Sequence, residues 1–168
     1  FIASDITGKL AYNNLTLKGE DLLLNSLNGN IVGDFKFYES NNKLKLFSNI
    51  NLKRLNIRNT FLAFDNFKQD FITAEHIKGI GTAEIQLEAT WKPGFIFEKD
   101  ELKVKSHLVI EKGELIQFKP LESLSDYVNL DDLKEVQFST LENIIEIENN
   151  LITIPSMEIK SSALSVFL

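Results

Sequence analysis

The side chains that could catalyse a reaction or hold a metal in this chain are two histidines, a pair of serines and a few acidic pairs. His76 and His107 are the only histidines, and no cysteine accompanies them. They stand in different elements, and a closed zinc or iron site needs about four ligands. Both therefore read as ordinary surface histidines. Ser161 and Ser162 have no histidine near them in sequence, and the Gly-x-Ser-x-Gly turn of a serine nucleophile does not occur. Glu20-Asp21, Asp131-Asp132, and Glu98 with Asp100 and Glu101 are carboxylates a glycosidase could gather from separate strands. All flank turns, where solvated acids are the ordinary case. Gly79-Ile80-Gly81 is the nearest approach to a phosphate loop. It leads into a strand, and it lacks both a third glycine and a Lys-Ser/Thr ending. The chemistry-bearing residues point to no enzyme, no metal and no cofactor.

Composition narrows the classes further. The 168 residues fit one domain, or one piece of something larger. The formal charge is -6, cations and acids are interspersed, and Arg54 and Arg58 are the only arginines. Phe35, Phe37 and Phe47 therefore lack the basic companions of a base-stacking surface, and nucleic acid is not an expected partner. No apolar run reaches the length of a spanning helix. The chain starts at Phe1 and ends within the apolar stretch SSALSVFL. Both ends read as cuts within a longer protein, with any membrane anchor outside this segment.

The elements that must position these residues are mainly strands. Period-two alternation marks Ile6, Leu10 and Tyr12, then Leu15 and Leu17, then Leu22 and Leu24. Gly8, Asn13-Asn14, Asn28-Gly29 and Ser40-Asn41-Asn42 read as breaks between them. Ile31, Gly33, Phe35 and Phe37 form another face, and Leu44, Leu46, Ser48, Ile50 and Leu52 the next. From Leu55 the period changes. Leu55, Phe61, Leu62 and Phe64 predict a helix over about 55–67, capped by Asn56 or Asn59. After Gly79 and Gly81, a strand puts Ala83, Ile85, Leu87, Ala89 and Trp91 on one face and Thr82, Glu84, Gln86, Glu88 and Thr90 on the other. Pro93-Gly94 ends it. Leu102, Val104, Ser106, Leu108 and Ile110 repeat the pattern up to a turn at Gly113. Pro120 opens a second short helix over about 120–128, with Leu121, Leu124 and Val128 as its apolar stripe. Strands follow at 133–138, at Ile145 and Ile147, at Ile152 and Ile154, and at Met157 and Ile159.

The fold expected is mainly β: a curled or sandwich-like antiparallel sheet of many short strands, with two short helices, in a single domain over 1–168. Strands with one aliphatic face must bury it. A second sheet would close the core, or the sheet would curl around an apolar groove. A groove could hold an acyl chain without any catalytic residue, since each buried methylene contributes about 0.8 kcal/mol.

NIRNTFLAFDNFKQDFITAEHIKGIGTAEIQL (56–87) and LVIEKGELIQFKPLESLSDYVNLDDLKEVQFSTLENIIEIENNLITIPSMEIKSSA (108–163) resemble the C-terminal region of the AsmA-like family, close to its Bacteroidetes-type members. The matching positions are Gly113, Leu115, Pro120, Leu121, Leu124, Ile154, Pro155, Met157, Ile159, Ser161 and Ser162. The resemblance covers about two-thirds of the chain, and its motifs are diffuse and structural. It implies a periplasmic domain of a membrane-attached envelope protein in outer-membrane biogenesis, related to the TamB-like and YhdP-like bridge-type lipid carriers. Phospholipid or another acyl lipid, and other envelope proteins, are then the expected partners. Leu108, Ile110, Ile147, Ile154, Met157 and Ile159 are the candidate lipid-contacting residues. The other reading is a structural or protein-binding β module with a closed core.

Overall fold

Asparagine-rich loop tips set the register of the sheet. The computed structural model describes residues 2–68, 70–124, 134–154, 158–161 and 165–167. The strands β1 (Ser4–Asn13), β2 (Thr16–Ser26), β3 (Gly29–Ser40) and β4 (Lys43–Asn56) follow one another as hairpins. Their two-residue loops are Asn14-Leu15, Leu27-Asn28 and Asn41-Asn42, and all six residues have φ between 47° and 66°. Positive φ at both loop positions matches the twist of the flanking strands, and Asn tolerates it best. The second tip falls one residue before the expected Asn28-Gly29. Gly29 instead opens β3, where an added Cβ would stand 2.3 Å from the Lys53 carbonyl oxygen.

Beyond β4 come α1 (Ile57–Ala63), β5 (Ile77–Lys92), β6 (Ile96–Phe97) and β7 (Lys103–Ile116). Then follow β8 (Glu135–Glu148), β9 (Leu151–Thr153), β10 (Glu158–Ser161) and β11 (Ser165–Phe167). All pairs are antiparallel. The order is β1-β2-β3-β4-β5-β7-β8-β10-β11, with β6 added on β5 and β9 on β8. This corrects the expected curled or sandwich-like sheet. The strands run in one linear order whose end strands do not pair, and no second sheet faces them among the described residues.

Nor are the principal strands short. β1 to β5, β7 and β8 span 10 to 16 residues. Gly8 and Gly113, expected as breaks, lie inside β1 and β7. The interruptions of period two are bulges and register shifts, as between Gly19 and Leu22 or Leu52 and Leu55. A bulge inserts a residue and bends a strand without ending it. From sequence it looks like a break.

The closed core sits at one end of the sheet. Ile57, Ile77, Ile110, Leu115, Phe118, Leu121, Val136, Phe138 and Leu141 form it, with Phe61, Ile72 and Leu108 packed at its margin. α1 covers this end, and Ile57 lies over Gly81, whose Cβ would meet the Ile57 side chain at 2.3 Å. The Asn56 side chain accepts the Asn59 N–H at 2.8 Å and caps α1. The helix begins two residues later than expected because Leu55 belongs to the bulged end of β4. The expected apolar face of this helix is also narrower. Ile57 is buried and Phe61 half-buried, while Leu62 and Phe64 face solvent. A 3-10 turn, Lys119–Leu124, stands where the second helix was expected, and 125–128 lie outside the described residues.

Candidate functional site

Cross-strand pairing assigns every strand position to one of two faces. One face is apolar over most of its length. Nearest the core runs the row Leu55, Gly81, Ile110, Leu141. The next is Leu24, Ile31, Leu52, Ala83, Leu108, Asn143, followed by Leu22, Gly33, Ile50, Ile85, Ser106, Ile145. Then come Phe35, Ser48, Leu87, Val104, Ile147, and further out Leu17, Phe37, Leu46, Ala89. Leu44 and Trp91 close the far end, where the Trp91 ring meets Phe37 at 5.8 Å and Phe97 at 5.7 Å between centroids.

The other face is mainly polar and ionic, although Phe47 and Ile144 stand exposed on it. Lys103–Glu148 at 2.6 Å, Lys105–Glu146 at 3.1 Å and His107–Glu142 at 2.7 Å form a ladder between β7 and β8. Glu84, Gln86 and Glu88 share that side, exposed, as expected for β5. Thr90 departs from the expectation and is buried, because the 93–102 excursion folds back on it and the Glu98 N–H donates to the Thr90 carbonyl at 2.9 Å.

Among the described residues, only the end under α1 is covered. From Ala83 to Trp91 along β5, the apolar face runs about 26 Å at about 3.3 Å per residue. Across β2, β3, β4, β5, β7 and β8 it spans about 24 Å at about 4.8 Å per strand. Its plan area is about 600 Å², and along it the side chains half-bury one another, with Ala83, Ala89 and Ser48 buried. A bilayer core is about 30 Å thick, so one leaflet's acyl chain reaches about 15 Å. The face is long enough for such a chain laid along the strands.

The structure places the six sequence-predicted residues differently. Leu108, Ile110 and Ile147 share the apolar face. Ile147 stands half-buried in the uncovered region and Leu108 borders the core, while Ile110 is inside the core under α1. Ile159 takes the β10 position opposite Leu141. Ile154 follows β9, outside the ladder and exposed. Met157 lies outside the described residues. The centre of the uncovered face is instead made by Ile31, Ile50, Leu52, Ile85 and Leu87. Their alternation was visible in sequence. Their adjacency was not, because it depends on the pairing of β3, β4 and β5.

An ion cluster fixes the Trp91 end. The Lys43 ammonium, on β4, bridges Glu98 and Glu101 from the 93–102 excursion, and Lys92 pairs with Glu98 at 2.6 Å. Glu98 Oε2 receives no well-angled hydrogen bond, but the Lys43 charge stands against it. Contact with the Lys43 ammonium is the main cause that holds both carboxyls below the ordinary Glu range. The same contacts, Glu101 first, raise Lys43. His76 Nδ1 lies 3.1 Å from the Thr73 hydroxyl. Among the described residues, no three His, Asp or Glu side chains gather as a metal site.

Comparison of the chain with protein-family models, curated proteins and solved structures returns no match.

Proposed function

We propose that the chain is a non-enzymatic domain that offers its apolar sheet face to the acyl chains of phospholipid or lipid-linked molecules. The observation that carries this reading is a large aliphatic face with α1 packed over one end only. Such a surface left bare in water is costly, at about 25 cal/mol per Å². Acyl chains would satisfy it without directional contacts, which suits a surface that has few polar groups besides Ser48, Ser106 and Asn143. The setting in the periplasm and in outer-membrane biogenesis rests on the AsmA-like resemblance of 56–87 and 108–163, and not on the fold. The other reading, a module with a closed core, needs a covering layer, and the described residues supply one only at the α1 end.

The test is lipid extraction and native mass spectrometry of the purified chain, with binding of a fluorescent phospholipid. Wild type should carry acyl lipid. Ile85→Asp, at the centre of the face, should lose it with an unchanged far-UV spectrum, because an acid among acyl chains is costly to desolvate. Wild-type protein that carries no lipid and binds none would overturn the proposal.

A further inference from the structure

We propose that the tip formed by α1 and the turn after it docks on a phospholipid bilayer, with Phe64, Phe67 and Phe71 entering its interfacial layer. This does not rest on the acyl-binding reading of the sheet face. It starts from a cluster of large apolar side chains turned to water: Leu62 is 61% exposed, Phe64 47%, Phe67 53% and Phe71 66%.

The rings are held in place. Phe67 stacks on Phe64, with centroids 5.6 Å apart and planes at 16°, and meets Phe61 edge-on at 5.1 Å. Phe71 stands edge-on against the buried Phe118 at 5.3 Å. The backbone that presents them is strained. Asp65, Asn66 and Phe67 have φ of 50°, 51° and 55°, three successive non-glycine residues in the left-handed region. Such a conformation persists only when its surroundings impose it, and it clusters at functional sites. Here the Asn66 side chain accepts the Ala74 N–H at 2.9 Å, and Ala74 is buried.

Cations stand at the base of the tip: Lys53 and Arg58 are exposed, and Arg54 is exposed with the Glu111 carboxylate 3.8 Å away. Asp65 and Asp70 are exposed beside the rings. Cations beside exposed aromatics pair with phosphate while the rings enter the acyl boundary. A protein partner would need a matching cavity for three projecting rings. A bilayer needs none. The tip roofs the same end of the sheet at which the apolar face begins, so docking would set that face beside the membrane.

Sedimentation with vesicles tests this, using phosphatidylcholine alone and phosphatidylcholine with phosphatidylglycerol. Wild-type chain should bind both, and the anionic vesicles more tightly at low salt. Phe64→Ser with Phe67→Ser should weaken binding about ten- to hundredfold, as two half-exposed rings lose their burial, while the melting temperature holds. Arg58→Glu, which touches no ring, should weaken binding to the anionic vesicles alone. Ile85→Asp should still bind vesicles, which separates failure of the tip from failure of the sheet face. The proposal is overturned if wild type ignores both vesicles or if the serine variant binds as well as wild type. Sedimentation velocity showing a dimer that the serine substitutions dissolve would also overturn it, and would mark the tip as a protein interface.

Discussion

Substituting Gly113 by alanine should strain the closed end of the sheet through one ring. Gly113 and Phe138 are direct partners across β7 and β8. A Cβ on Gly113 would stand 2.0 Å from Phe138 Cζ and 2.1 Å from its Cε2. Carbon atoms rest about 3.5 Å or more apart, so something must move by about 1.5 Å. Phe138 has little room, being 3% exposed among Ile110, Leu115, Val136 and Leu141. Forcing a packed core to accommodate the methyl group costs about 1–3 kcal/mol. Expelling the ring would cost about as much in lost burial. The smaller conformational freedom of alanine in the unfolded chain offsets about 0.4–1 kcal/mol. The net loss should be about 0–2.6 kcal/mol, read as a urea midpoint lower by up to about 1 M. A double-mutant cycle makes the reasoning refutable. Phe138→Ala alone should cost about 3–5 kcal/mol. With the ring gone the clash goes too, so adding Gly113→Ala should cost almost nothing, a coupling of about 1–3 kcal/mol. If the two losses add within about 0.5 kcal/mol, the ring does not lie on Gly113 in solution.

Asn56→Ala removes the side-chain acceptor of the Asn59 N–H and should cost about 1 kcal/mol, seen as a lower thermal midpoint. The ion cluster at the Trp91 end predicts a pH dependence. Because Glu98 and Glu101 are depressed in the folded state, their contribution is complete above the ordinary value of 4.5 and is lost as pH falls through the depressed folded values. Urea midpoints across that range should fall less steeply in Lys43→Met than in wild type, and equal slopes would show that the cluster does not form. Glu142→Ala removes the exposed His107 contact and should change stability by less than about 0.5 kcal/mol, since exposed pairs contribute little. A larger loss in chemical denaturation would mean that the contact belongs to a wider network.

How far the sequence carries is shown by particular elements. Alternation from Ala83 to Trp91 was enough to separate the apolar side of β5 from its glutamates, because side chains alternate strictly across a strand. Asn41-Asn42 marked a hairpin tip, and both residues take the positive φ that such a tip requires. A cap at Asn56 or Asn59 was legible beside a change of period, and the structure gives the role to Asn56. The absence of a phosphate loop or serine elbow was also legible, since those depend on local spacing. What the tertiary structure alone decided was how the faces meet. The bulge at Gly19–Leu22 shifts the alternation within β2, and the one at Leu52–Leu55 carries β4 on to Leu55, where the change of period had suggested a helix. Whether a face is covered depends on contacts between residues far apart in the chain, so alternation could not choose between a sandwich, a groove and an open sheet. Ile110 and Ile147 carry the same local pattern, yet α1 buries one and leaves the other at the bare end. Phe64 read as part of an inward face, yet it stands exposed at the C-terminal end of α1, just before a left-handed turn held by Asn66. Periodicity records which side of an element is apolar, and packing alone determines what stands against it.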